Sequence, residues 1–447
     1  MRNAIFKEAN NIFFVGIGGI GVSALARVLK ATGKQISGSD LEDSEIIQNL
    51  RKEGIKIYVP HNRENLPKDA DLVIFSVAVP ESNPERARAK ELNIPQISYP
   101  EALGRFIADK RVIAVAGTNG KTTTTAMIGR ILEEAGEDPT VIVGSNVNSW
   151  NSNARFGRGE YAVIEADEYR RAFLNYSPEV AVITNIEVDH LDYFKDLTDV
   201  KNGFREFTRR IKRGGILVYN YDNPNAKELA ENTAVKKISF GLTNGLPDIF
   251  PGGVIYEDMK LQVPGEFNKA NALAAAAACE AIGISREKII EALGQFTGTW
   301  RRFQKVGKFG SSEIISDYAH HPAGVTVILD TAADEFAGKR ILAVFQPHQR
   351  NRTKHLFREF VTSFCRSELH NFIIAEIFDV AGREKKGDED VSSIALVEEI
   401  KKCGKHAEYV KNLEDCEQKI RDIAAVYDVI IFMGAGDIYK VAEKLAK

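Results

Sequence analysis

Short, continuously apolar runs alternate with amphipathic helical stretches along almost all of this 447-residue chain. IFFVGI (12–17) suits a buried strand, and VSALARVLKATG (22–33) suits a helix ending at Gly33. The reason is periodicity: a strand covered on both faces is apolar throughout, whereas a surface helix repeats every 3.6 residues. KQISGSD, LVIFSVAV and a helix from about Asn83 continue the series. A second round opens with RVIAVAG (111–117) and includes YAVIEAD, VAVITNI and GILVYN. A third opens near SEIISDYA (312–319), followed by RILAVFQ, NFIIAEIF and DVIIFMGAG. Strand–helix alternation of this kind predicts parallel sheets, and three rounds predict three α/β domains. The joints are expected near 100–110 and 297–303, with no low-complexity linker.

Composition narrows the functional classes. A formal net charge of −3 provides no global basic field for nucleic acid or an anionic membrane. The four cysteines, Cys279, Cys365, Cys403 and Cys416, have no C-x-x-C spacing. That argues against a disulfide framework or a thiolate zinc site and fits a reducing cytosol. MRNAIFKEANN lacks the apolar stretch of a secretory leader, and the alanine-rich 270–278 reads as a buried helix. A cytoplasmic protein, monomeric or homodimeric, is expected.

G-T-N-G-K-T (117–122) follows a strand and opens the helical TTTTAMIGRILEEAG. Glycines allow backbone N–H groups to approach phosphate oxygens, and a helix N-terminus favours negative charge. Lys121 suits β- and γ-phosphate charge, and the Thr122 hydroxyl suits Mg²⁺. The pattern G-x-x-x-x-G-K-[ST] is not met, because its first glycine would fall at Val115. The loop is a shorter variant, and a nucleoside triphosphate, ATP, is its expected ligand.

Two later strands end in polar clusters. EADE carries Glu165, Asp167 and Glu168, and TNIEVDH carries Asn185, Glu187, Asp189 and His190. Ligands of parallel sheets lie beyond the carboxyl ends of the strands, which puts these groups on the same rim as the loop. Near the start, VGIGGIGVSALA sets Gly16, Gly18 and Gly21 in a G-x-G-x-x-G pattern, and Asp40 ends the next strand. A diphosphate on a helix N-terminus is what such a bend reports, and NAD, FAD and a UDP-sugar all carry one. Two nucleotide sites on one chain favour a UDP-linked substrate plus ATP over a NAD-dependent oxidoreductase.

FVGIGGIGVSALA, GSD, GTNGKTTTTAM, EADE, TNIEVDH, PGEFNKANALAA, WRRFQ, YAHHP, FQPHQRNRT and MGAGD occur in an order that resembles the Mur ligase family of ATP-dependent amino-acid and peptide ligases. The resemblance covers nearly the whole chain. It implies a Rossmann-like domain for the UDP-sugar (1–108), a P-loop-type central ATPase domain (109–298) and a Rossmann-like C-terminal domain for the amino acid (299–447). The implied reaction joins the lactyl carboxylate of UDP-N-acetylmuramate to the amine of L-alanine through an acyl phosphate, with ATP and Mg²⁺. The alternative within the family attaches a preformed peptide or another small amino acid.

By motif match, Gly18, Gly19, Gly21, Ser23 and Asp40 would face the sugar nucleotide. Gly117, Thr118, Asn119, Gly120, Lys121, Thr122 and Thr123 would bind ATP phosphates. Thr122, Glu165 and His190 match metal ligands, and Lys121, Glu165 and His190 are the catalytic candidates. Asn268 and Asn271 match asparagines that hold adenine, although their i, i+3 spacing at a helix start also suits N-capping. Arg302 and Asp317 match further nucleotide contacts, and Tyr318, His320, His321, Arg350 and Arg352 match the amino-acid pocket. Asn119 stands where the family's loop usually has histidine, and Gln349 stands where arginine usually follows Q-P-H, with Arg350 beside it. An arginine there would meet a carboxylate bidentately, so either Arg350 substitutes or the amino-acid preference differs. Arg170–Arg171 follow EADE where small or acidic residues are more usual.

Overall fold

The computed structural model describes residues 6, 8–190, 193–242, 259–379 and 390–447. Residues 1–5, on which part of the leader reading rests, lie outside that set. Among the described residues the strands form three sheets. The first takes β1 (Asn11–Val15), β2 (Gln35–Ser39), β3 (Lys56–Tyr58), β4 (Leu72–Phe75) and β5 (Gln96–Ser98), ordered β3-β2-β1-β4-β5 and parallel throughout. Strand order reverses between β1 and β4, so the loop after β1 opens into the crevice at the switch point.

The second sheet takes β6 (Arg111–Ala116), β7 (Thr140–Val147), β8 (Ser152–Arg155), β9 (Tyr161–Glu165), β10 (Val180–Ile183), β11 (Ile216–Asn220) and β12 (Lys236–Phe240). Its order is β12-β11-β10-β6-β9-β7-β8, parallel except for the β7–β8 hairpin. β6 lies between β9 and β10, which carry the two polar clusters. The third takes β13 (Gln304–Phe309), β14 (Ser312–Asp317), β15 (Ile341–Phe345), β16 (Asn371–Ala375), β17 (His406–Val410) and β18 (Val429–Met433), ordered β13-β14-β18-β15-β16-β17. Only its β13–β14 pair is antiparallel.

The central strands are buried on both faces, which is why they read as unbroken apolar runs: Ile12–Val15 and Val112–Ala116 are all buried. One apolar cluster joins Ile12 and Phe14 of β1 to Ala114 of β6, Phe173 and Phe204. The first two sheets accordingly share one compact unit, Met1–Gln262 with Asn268–Thr299, while Val263–Phe267 with Trp300–Lys447 form the second. Within the first unit, Asn153 of β8 is fully buried. Its Nδ2 donates to Ile20 O (2.6 Å) and Ser23 Oγ (3.1 Å), and its Oδ1 accepts from Arg27 Nη1 (2.6 Å). The helix Ile20–Ala31 is thereby tied to the second sheet.

The helix Glu266–Ala281 is buried along its alanines, as its composition predicts. No described helix is long and apolar enough to cross a membrane. One expectation is overturned. Cys365 and Cys403 form a disulfide, their Cα atoms 5.6 Å apart, whereas Cys279 and Cys416 are buried thiols. The 38-residue separation hides this pairing, which arises because the helices Phe357–Arg366 and Ser393–Lys402 pack together.

Candidate active site

β6 ends at Ala116, and the loop turns through Gly117 (φ +142°) and Gly120 (φ +83°) into the helix Lys121–Glu134. Both glycines are also required by space. A Cβ on Gly117 would lie 2.0 Å from Thr184 Oγ1, and one on Gly120 would lie 2.4 Å from Asn271 Oδ1. β10 clamps the loop from one side: Thr184 Oγ1 donates to Asn119 O (2.5 Å), and Asn119 N donates to Asn185 Oδ1 (2.8 Å). Thr118 N donates to Asn185 O (3.1 Å), and Glu187 N donates to Thr118 Oγ1 (2.9 Å). From the other side, β9 supplies carboxylates. Thr122 Oγ1 donates to Glu165 (3.0 Å), whose Oε2 also accepts Gly144 N (2.7 Å).

Lys121 Nζ donates to Gly117 O (2.6 Å) and to the buried carboxylate of Glu168 (2.9 Å). Burial acts to lower the ammonium pKa, but Glu168, Asp167 and Glu165 outweigh it and hold Lys121 charged. Burial raises Glu168 to about 7, offset in part by Lys121 and reinforced by Asp167. Asp167, Glu168 and His190 present ligand atoms within 4.8 Å of one another. His190 sits at φ +54°, with its ring 4.8 Å from that of Tyr169 and Nε2 at 4.0 Å from Glu168. The site therefore holds two acidic sets, Thr122 with Glu165 and His190 with Asp167 and Glu168. The first offers oxygen donors and the second oxygen and imidazole donors, both of kinds that divalent cations take. Glu168 carries no role in the sequence reading, although it stands in EADE; only the fold shows it reaching the lysine.

Asn268 and Asn271 lie inside the helix that starts at Glu266, so they are not its N-caps. Asn271 Oδ1 accepts from Thr124 Oγ1 (3.3 Å) and stands against Gly120 of the Gly117–Thr122 loop.

At the first sheet, Asp40 Oδ2 accepts Gly18 N (2.7 Å) and its Oδ1 accepts Leu41 N (2.8 Å). The carboxylate braces the glycine bend itself, alongside Gly19 at the start of the helix. Ser23 is buried, its hydroxyl donating to Ile20 O (2.8 Å) and accepting from Asn153, so it secures the helix from within.

In the second unit, Asp317 at the end of β14 is buried and accepts Phe303 N (2.7 Å) and Ala319 N (2.6 Å). It thus shapes the strand-end loop. Arg302 lies over the Tyr318 ring at 5.2 Å. His320 Nδ1 is 2.9 Å from Tyr318 O, and its ring is 5.8 Å from that of His348. His321 precedes the helix Pro322–Glu335 at its N-cap position without a side-chain cap bond. Arg352 Nη1 approaches His348 Nδ1 at 3.3 Å. Arg350 is differently engaged: it donates to Asp379 (2.9 Å), Glu376 (3.1 Å) and Val391 O (3.2 Å). These partners all come from the chain after β16, which the local motif does not reveal.

Models of the Mur ligase family match three successive segments: its catalytic domain over residues 11–111, its middle domain over 115–279 and its glutamate ligase domain over 301–436. A UDP-N-acetylmuramate–L-alanine ligase of Desulfitobacterium hafniense is 41% identical over 97% of this chain and 99% of its own. The chain belongs to the Mur ligase family. The Clostridium novyi protein of the same name is 38% identical over 98% of each chain. The crystal structure of the UDP-N-acetylmuramate–alanine ligase of Thermotoga maritima superposes with a TM-score of 0.81 at 29% identity, covering 97% of this chain and 98% of that one. The Mur ligase middle-domain match spans the Gly117–Thr122 loop, both acidic sets and the two asparagines.

Proposed function

We propose that this Mur ligase joins the lactyl carboxylate of UDP-N-acetylmuramate to the amine of L-alanine, converting ATP to ADP and phosphate. The observation that carries the reading is the junction after β6, β9 and β10. A phosphate loop, its lysine and two acidic sets meet there, in the same compact unit as the glycine bend after β1.

A carboxylate resists attack by an amine, so it is first phosphorylated. One carboxylate oxygen attacks the γ-phosphorus and ADP departs. The amine nitrogen then attacks the carbonyl carbon, and the tetrahedral intermediate expels inorganic phosphate. Lys121, released from Glu168, neutralises charge on the transferring group, while Gly117 to Thr123 direct backbone N–H groups toward the phosphates. Thr122 with Glu165, and His190 with its neighbouring carboxylates, are the residues that would hold Mg²⁺. Bound there, the cation supplies electrostatic stabilisation of the phosphoryl oxygens. The amine must lose a proton, for which His190 or an adjacent carboxylate is the candidate acceptor. Arg350 is held by Glu376 and Asp379, and Arg352 approaches His348; both arginines are candidates for the carboxylate of the incoming amino acid.

The test is ADP release with UDP-N-acetylmuramate and a panel of amino acids and peptides. Release dependent on L-alanine is expected; release dependent instead on a tripeptide, or on no amine, overturns the proposal.

A further inference from the structure

Tyr99 opens the helix Tyr99–Phe106 directly after β5, on the carboxyl-end rim of the first sheet. Its ring lies against the glycine bend. A Cβ on Gly21 would fall 2.6 Å from Tyr99 Oη, 2.8 Å from Cζ and 3.0 Å from Cε1. Gly21 has no left-handed φ, so what its position requires is room for this ring. The same side chain feels Glu165 and Asp167 at the end of β9. Burial first, and then those charges, hold the phenol above its usual range, so at neutral pH it is a hydrogen-bond donor and not a base. Among the described residues nothing is hydrogen-bonded to its hydroxyl. A partly buried tyrosine normally satisfies that group. Tyr99 therefore brings an unused donor to the first turn of the helix Ile20–Ala31.

We propose that Tyr99 is a substrate-binding residue whose hydroxyl donates to the diphosphate of the sugar nucleotide at the glycine bend. The inference rests on the sugar-nucleotide reading given above and adds a contact outside the glycine motif. Tyr99 opens the helix that follows β5, and its hydroxyl lies beside Gly21 of the bend.

Tyr99→Phe keeps the ring that packs on Gly21 and removes only the oxygen, so the variant is expected to melt with the parent. UDP binding by calorimetry and steady-state kinetics test it. A hydrogen bond to a charged oxygen corresponds to roughly a tenfold change. The dissociation constant of UDP and the KM for UDP-N-acetylmuramate should each rise by about that factor. The KM for ATP and kcat should stay within about twofold of the parent. Unchanged UDP affinity in the variant, or a loss confined to kcat, overturns the assignment and leaves the function standing. A parent protein that binds no UDP removes both.

Discussion

The Lys121 ammonium is paired with buried Glu168. In the proposed function, phosphate has to compete with that carboxylate for it. Glu168→Gln removes the competing charge. The variant should bind ADP more tightly in the absence of divalent cation, on the order of fivefold for about 1 kcal/mol. The pH dependence has a definite sign. Glu168, raised by burial to about 7, is ionised above that value and competes for Lys121; below it the carboxyl is neutral and does not. Parental ADP affinity should therefore climb toward that of the variant as pH falls from 8 to 6, and the difference between them should close. Calorimetric titration at both pH values checks this, and a constant difference would refute it.

At the scale of elements, the phosphate loop is shaped by the strands beside it. Thr184 and Asn185, from the end of β10, hold Asn119 in place, and Thr184 fills the space beside Gly117. Gly117→Ala would place a methyl 2.0 Å from Thr184 Oγ1 at a φ of +142° that L-residues avoid. Loss of ADP binding and destabilisation of about 1–3 kcal/mol are expected, measured by calorimetry and urea unfolding. The corresponding change at Gly136, whose added Cβ meets nothing within 4 Å, should leave ADP binding intact despite its own positive φ. The glycine spacing predicted this bend correctly, but which neighbour demands each glycine depends on a strand end and a helix 60 or more residues away in sequence.

At the scale of the whole molecule, the two compact units carry different features. The first contains the phosphate loop, and the second contains the Cys365–Cys403 disulfide. Calorimetric unfolding should resolve two transitions, one raised by ADP and the other lowered by reductant. Thiol titration of the denatured protein should give two thiols before reduction, Cys279 and Cys416, and four after it. A single transition moved equally by both agents, or four thiols from the start, would contradict this. What the sequence determined by itself was local: three rounds of strand and helix, the bends at Gly16–Gly21 and Gly117–Gly120, and the polar residues that end β9 and β10. Hydrophobic period and glycine conformation act within a few residues, so a linear reading captures them. Only the tertiary structure paired Lys121 with Glu168, committed Arg350 to Glu376 and Asp379, joined Cys365 to Cys403 and set Tyr99 against Gly21. Ion pairs, disulfides and van der Waals contacts depend on distances in space, and the order of strands in a sheet sets those distances for residues far apart along the chain.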